Sequence, residues 1–419
     1  MKKDTKSNDS GIGSEKINPF SRRSFLSASV AGAAGLALTQ FGCSSPKNPG
    51  QDSAKIQGFE DQSVTADPYK GWVPFSDRKI KVGLVGYGVC KFGTSFGFQD
   101  HPNVEVVAVS DLITERCAEM AKVSNCSKTY PSLEELVKDK TIEAVFVATD
   151  APNHMKHCLE VLKHGKHVAV AVPAVFGSLE DADKLFEEVK VSGLKYMMFE
   201  TSMYRDSCYA MHQIYKSGGF GEMVYSEGEY YHYMEQPIDS YKGWRIGLPP
   251  QFYPTHSNAF HNCVTGGSFT EVSCMGMPSI IEHLKPENNI YKNPFGTEIA
   301  LFRTSEGGTS RMAVSWDTPG DEGERGRVRG QKGSFYDKFE GLDIKLPDVN
   351  RPPLPQGMPL GGHGGSHGYL TNEFVHSILQ DRKPLIDISM ALNLTVSGIV
   401  AHQSALKDGE LMKIPQYAF

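Results

Sequence analysis

The run Gly83-Leu84-Val85-Gly86-Tyr87-Gly88 closes a short apolar segment, and an acid, Asp111, closes the next one, 25 residues after Gly86. Two glycines at a strand-to-helix turn permit a tight bend. They also let backbone N–H groups approach a pyrophosphate lying at the positive end of a helix dipole. A carboxylate at the tip of the second strand accepts hydrogen bonds from the adenosine ribose hydroxyls and repels the extra phosphate of NADP, and Leu112 supplies no compensating charge. Gly86, Gly88 and Asp111 therefore predict an NAD site, with S-adenosylmethionine as the competing ligand. The third glycine of the dinucleotide fingerprint is missing. Lys91 stands in its place and Gly93 lies two residues later, which predicts looser helix–strand packing or a longer turn.

Other segments have the composition of a ligand site. Tyr230-Tyr231-His232-Tyr233 and Trp244-Arg245 offer the aromatic faces and polar edges that hold sugars, although tyrosine-rich strands also serve as plain sheet. Gly361-Gly362-His363-Gly364-Gly365-Ser366-His367 has enough glycine to approach a ligand closely. Its two histidines lack a carboxylate or cysteine at ligand spacing, so no metal is expected. Apart from Cys43, the seven cysteines show no CxxC pair and read as mostly buried thiols, and His261 reads as packing.

The elements that must position these residues divide the chain. Residues 1–43 read as a twin-arginine export signal: Ser21-Arg22-Arg23-Ser24-Phe25-Leu26 precedes a small, apolar stretch from Ser27 to Leu38. Cys43 follows Gly42 as at a lipidated N-terminal cysteine, with simple periplasmic release as the alternative. Residues 44–78 have linker composition. From Ile80 the pattern alternates. Strands are expected at Ile80–Val85, Val104–Val109, Ala144–Ala148 and His167–Ala171, with helices at Thr114–Val123, Leu133–Lys138 and His154–His164. This predicts an α/β fold with a doubly wound parallel sheet over 79–198, a Rossmann domain. Over 199–419 longer aromatic strands (Met223–His232, Ser310–Trp316, Gly333–Phe339) predict an α+β domain on a mostly antiparallel open sheet, closed by helices at Tyr369–Gln380 and Ser389–Asp408. Pro347 to Gly365 reads as a functional loop, too irregular for core. A net charge of −6 without a long basic run argues against nucleic acid as partner.

Several stretches in one order resemble the Gfo/Idh/MocA family of sugar oxidoreductases. They are Gly86-Tyr87-Gly88, Asp111, Asn153-His154 ahead of a helix ending Gly165-Lys166-His167-Val168, and Pro173. The second half most resembles glycoside hydrolase family 109, the NAD-dependent α-N-acetylgalactosaminidases. There the matches are Met198-Phe199-Glu200, Met203-Tyr204-Arg205, Phe220-Gly221-Glu222, Glu227-Gly228-Glu229-Tyr230, Tyr253-Pro254-Thr255-His256 and His363-Gly364-Gly365. The resemblance implies NAD contacts from Asn153, His154, Pro173 and His363, and a carbohydrate held by Tyr230, Tyr253, Trp244 and Arg245. The chain departs from the family dehydrogenases at two places: Val172 replaces the lysine of Glu-Lys-Pro, and Phe252 replaces an aspartate four residues before the active-site histidine. The hydrolase branch also lacks the lysine but keeps a glutamate where this chain has Ala171.

A ring hydroxyl that gives up hydride must lose its proton to a nearby base. With the lysine gone, Tyr204 and His256 are the titratable candidates that the resemblance places by the nicotinamide. The main expectation is an NAD-dependent oxidoreductase acting on a sugar or glycoside by hydride transfer at a ring hydroxyl. The alternatives are redox-neutral glycoside hydrolysis on a retained NAD and a non-catalytic binding relative. An open sheet face in the second domain predicts a homo-oligomer.

Overall fold

The computed structural model describes residues 67–419. The export signal, Cys43 and the linker as far as residue 66 lie outside the described residues. The rest of that linker is tied down: Leu354 N–H donates to Pro68 O, and the Tyr69 hydroxyl donates to Met358 O at 2.9 Å.

Six short strands make the first sheet. These are β1 (Ile80–Val85), β2 (Val104–Ser110), β3 (Thr129–Tyr130), β4 (Ala144–Val147), β5 (His167–Val170) and β6 (Tyr196–Met198). They run parallel in the order β3-β2-β1-β4-β5-β6, the doubly wound arrangement in which strand order reverses beside β1 and opens a crevice at the strands' C-terminal ends. All four residues of β4 are buried, as a sheet covered on both faces requires. The covering helices are α1 (Phe92–Ser95), α2 (Thr114–Val123), α3 (Leu133–Leu136), α4 (His154–Lys163) and α5 (Leu179–Ser192). Helix α5, which sequence periodicity did not reveal, starts where Ser178 Oγ accepts Asp181 N–H at 3.1 Å and ends on Gly193 at φ 64°.

After α6 (Asp206–Lys216) comes β7 (Met223–Tyr231), then α7 (Thr255–Thr265) and the strands β8 (Phe269–Pro278), β9 (Phe295–Thr304), β10 (Thr309–Ser315), β11 (Gly323–Gly330), β12 (Gly333–Phe335) and β13 (Phe339–Gly341). With β14 (Met412–Lys413) they form an eight-stranded sheet, β13-β12-β11-β7-β10-β9-β8-β14. It is antiparallel except that β10 runs parallel to β7. The sequence pattern pointed to three of these strands. Between β13 and the C-terminus lie α8 (Gly362–Gly365), α9 (His367–Leu379) and α10 (Ile388–Ala405). Helix α10 packs on α5 and β6 of the first sheet and on β8 and α7 of the second, and so holds the two sheets in one core. The loop expected to stay out of the core contributes two fully buried side chains, Leu354 and Met358.

The position of α7 is set by glycine. Gly228 of β7 pairs with Gly326 of β11. A methyl group at Gly228 would lie 2.0 Å from Ser257 O, and one at Gly326 would lie 2.0 Å from the Phe260 ring. Only a bare sheet surface lets α7 settle this close. One strand period further along, Tyr230 pairs with Glu324, so the residue before Ser257, His256, comes down on that pair.

Among the described residues no helix is long and apolar enough to cross a membrane. Of the seven cysteines there, six are buried and Cys90 is partly exposed.

Candidate active site

The glycine turn is built as a dinucleotide cradle. Gly86 has φ 97°, and a Cβ there would strike Ala148 O at 2.3 Å, so only glycine fits. A Cβ at Gly88 would meet nothing within 4 Å: that face is open for a ligand's approach. Gly93 does what the missing third glycine would do. A Cβ on it would lie 2.5 Å from Gly86 O and 2.5 Å from Met120 Sδ, so helix and strand pack closely, contrary to the looser contact expected from Lys91. The turn is longer than usual, and the helix it opens is cut to the single turn α1.

Asp111 holds this turn from the tip of β2. Its Oδ2 accepts Tyr87 N–H at 2.6 Å and its Oδ1 accepts Ile113 N–H at 2.8 Å. The carboxylate still lines the cleft. The cleft, of about 330 Å³, runs from Gly86, Gly88 and Asp111 past Asn153 to Ala171-Val172, Trp244, Arg245 and Tyr253. The open face over Gly88 and the acid at the strand tip fit an NAD pyrophosphate and ribose.

At Ala171 and Val172 the cleft meets a second, smaller cavity of about 30 Å³, enough for a water molecule, lined by Tyr230, His232, Tyr253, His256 and His363. His256 is fully buried. Its Nδ1 lies 2.8 Å from Glu200 Oε1, which also accepts Ser202 N–H at 2.8 Å. That bond fixes the tautomer and turns Nε2 toward the cavity. Burial alone would strip the proton from His256, but the carboxylates of Glu200 and Glu324 outweigh it and hold its pKa above the ordinary imidazole value. Tyr230 meets the His256 ring edge-on at 4.8 Å, and its hydroxyl lies 3.2 Å from His232 Nδ1. Arg245 stacks 4.3 Å over Trp244 and 5.7 Å from the Tyr253 ring, forming an aromatic and cationic wall.

Glu324 is the functional candidate that sequence reasoning missed. It is buried on β11, with Oε2 accepting Arg205 Nε at 2.6 Å and the Ser202 hydroxyl at 2.7 Å. Burial raises a carboxyl pKa, but Arg205, His256 and His363 hold this one well below the usual range. The strand alternation that turns Val328 inward turns Glu324 inward too, and that was the available signal.

Several expected site residues lie elsewhere. Tyr204 lines neither cavity. It is buried in an aromatic stack, 5.7 Å from Tyr209 and 5.4 Å from Tyr369, with its phenol pKa pushed up by burial, so it packs rather than relays protons. His363 faces His256 at 5.7 Å in the small cavity instead of lining the cofactor cleft. His154 borders the cleft, but its ring clamps two loops, Nδ1 lying 2.8 Å from Pro173 O and Nε2 3.1 Å from Thr149 O. Pro173 lines neither cavity and serves as one of those anchors. Phe252, where family dehydrogenases have the aspartate, packs against Phe176 and His402, while Val172 sits at the junction of the two cavities. The expectation that no carboxylate accompanies His363 fails, because β11 brings Glu324 Oε1 to 4.0 Å from His363 Nε2.

Residues 80–200 match the Gfo/Idh/MocA family model, described as the oxidoreductase family with an NAD-binding Rossmann fold. They form a Gfo/Idh/MocA NAD-binding domain. The chain as a whole is similar to a "Glycosyl hydrolase family 109 protein" of Streptomyces filamentosus, with 24% identity over 95% of this chain and 90% of the relative. It shares the fold of levoglucosan dehydrogenase, solved with NADH and levoglucosan (TM-score 0.65, 16% identity, 81% of this chain and 100% of that one). It also shares that of scyllo-inositol dehydrogenase from Lactobacillus casei (TM-score 0.63, 16% identity, 81% and 99%). The Gfo/Idh/MocA domain thus supplies most of the cleft, and the segment between β7 and α7, with Trp244, Arg245 and Tyr253, supplies the rest.

Proposed function

We propose that this chain acts on a sugar or glycoside at a ring hydroxyl, using NAD held in the large cleft. The observation that carries the reading is the junction at Ala171-Val172, where the cofactor cleft opens onto a buried pocket of histidine, tyrosine and arginine. Bound NAD supplies a two-electron acceptor there. His256, its Nδ1–H held by Glu200, presents Nε2 as acceptor for the hydroxyl proton. Trp244, Arg245, Tyr230 and Tyr253 grip the ring by stacking and by polar edges. Val172 contributes no proton-transfer group, so the proton load falls on the second domain's residues.

A second reading is net hydrolysis: oxidation, elimination of the glycosidic group, hydration and re-reduction, with NAD retained throughout. The likeness to family 109 relatives along nearly the whole chain and the valine at 172 favour it. Incubating the NAD-loaded protein with aryl glycosides in deuterated water separates the readings. Glycoside cleavage with solvent deuterium beside the anomeric carbon supports hydrolysis, whereas net NADH without cleavage supports a dehydrogenase. Neither result with any glycoside would leave the non-catalytic alternative.

We also propose export by the twin-arginine route, supported by Arg22-Arg23 and Phe25-Leu26, with Cys43 as a lipid anchor. Export of a folded chain suits a cofactor that is loaded before translocation and retained afterwards. The mass of the mature N-terminus and its partition between membrane and soluble fractions test both points.

A further inference from the structure

His256, Glu324 and His363 come from α7, β11 and α8, are far apart in sequence, and converge on one buried point. One potential ligand atom from each lies within 4.8 Å of the other two. We propose that these three side chains form a binding site for a divalent transition-metal ion of the zinc class, beside the small cavity that His256 and His363 line.

The surrounding hydrogen bonds prepare both imidazoles as ligands. His256 directs Nδ1 to Glu200, leaving Nε2 as its inward atom. His367 Nδ1 lies 3.2 Å from Ser95 O, a pure acceptor, so that nitrogen carries the proton and Nε2 of the same ring accepts. His363 Nδ1, 3.1 Å from that Nε2, is then a donor, which directs the lone pair of His363 to its own Nε2, the atom facing Glu324. A carboxylate behind one ligand histidine and a fixed acceptor behind the other are the outer contacts that metal-bound imidazoles use. Arg205 and Ser202 hold Glu324 Oε2 and leave Oε1 toward the histidines.

Backbone geometry points the same way. His363 has φ 54°, a left-handed conformation uncommon for a residue with a side chain, and this aims its ring into the pocket. Two imidazoles and one carboxylate form a donor set for zinc or a neighbouring transition ion and suit magnesium or calcium poorly. Ligands about 2.0–2.2 Å from an ion stand roughly 3–3.5 Å apart, so the site closes by about 1 Å when loaded. Three protein ligands leave a coordination position open to the cavity. An ion there takes the His256 Nε2 lone pair, so in the loaded protein His256 is a ligand. The ion polarises a bound hydroxyl in place of the absent lysine and its proton leaves to water, while the base role of His256 belongs to the ion-free protein.

The catalytic consequence rests on the function proposed above, but binding is measured without turnover, so the two can fail separately. The full chain, stripped with chelator and loaded with NAD, is titrated with Zn²⁺ and separately with Co²⁺. The expected result is saturation at one ion per chain and a ligand-field spectrum of a low-coordinate nitrogen–oxygen site for Co²⁺. Glu324→Gln and His363→Ala should each weaken binding at least about a hundredfold, whereas His283→Ala, outside the cluster, should not. Absence of saturable binding, or affinity indifferent to both ligand substitutions, overturns the proposal. Should those variants misfold, anomalous diffraction from zinc-soaked wild-type crystals decides: an ion between the three side chains supports the site, and an ion elsewhere or none contradicts it.

Discussion

At the residue scale, the glycines of the cofactor turn have separable duties. Gly88→Ala adds a methyl group to open space, so stability should hold while NAD affinity falls at least about tenfold, roughly 1.4 kcal/mol, in a binding titration. Gly86→Ala meets a carbonyl oxygen at positive φ and should cost stability first, by about 2 kcal/mol or more in urea unfolding. Tyr204→Phe should leave turnover unchanged, because the ring packs away from both cavities; a large fall in kcat would restore it to the site. The sequence made Gly86, Gly88, Asp111 and His256 legible because each sits in a local motif. Glu324 was only half legible: alternation with Val328 turns it inward, but its meeting with Tyr230 comes from a long-range register that no spacing along the chain encodes. Tyr204 misled for a related reason: its motif is local, but the stack that captures it includes Tyr369, far along the chain.

At the element scale, the close seat of α7 on Gly228 and Gly326 is what brings His256 to Tyr230 and Glu324. Gly228→Ala should push the helix off the sheet. We expect a loss of about 1–3 kcal/mol in stability, and a fall in kcat larger than the change in NAD affinity, measured on the folded fraction. Equal losses of turnover and NAD binding would show that the helix does not act on His256. Helix α7 was invisible to periodicity because it is buried nearly all round and carries polar residues on its buried faces, such as Asn258, whose amide donates to Leu394 O and Ser397 Oγ. Four of the six parallel strands were readable because burial on both faces gives continuous apolar runs; β3 and β6, two and three residues long, offered too short a run.

At the scale of the whole molecule, buried neutral histidines tie its parts together. His101 receives Asn103 N–H on Nδ1 and places Nε2 3.2 Å from Asn372 Oδ1, linking the first sheet's edge to α9. Burial holds His101 and His157 down to about 4, against about 6.5 in an unfolded chain. A folded value below the unfolded one means that the unfolded chain takes up the proton first. Their contribution is full above about pH 6.5 and is lost as pH falls toward about 4, of the order of a few kcal/mol together. Urea midpoints should therefore drop across that window, and His101→Gln should flatten the drop; a midpoint independent of pH there would contradict it. The outer face of the second sheet mixes a ladder of Glu227, Glu229, Arg311 and Arg327 with exposed Met275 and Leu301.

All of these scales meet at the junction beside Val172, where the cofactor cleft opens onto His256. The most direct test mixes the NAD-loaded protein with a panel of sugars and glycosides and follows the near-ultraviolet absorbance of reduced nicotinamide in a stopped-flow instrument. The account predicts a rise with at least one sugar, lasting for a dehydrogenase and transient for a hydrolase, slowed about 10²–10⁴-fold in His256→Ala. Full NAD occupancy with no rise for any sugar, or a rise that His256→Ala leaves untouched, would contradict it.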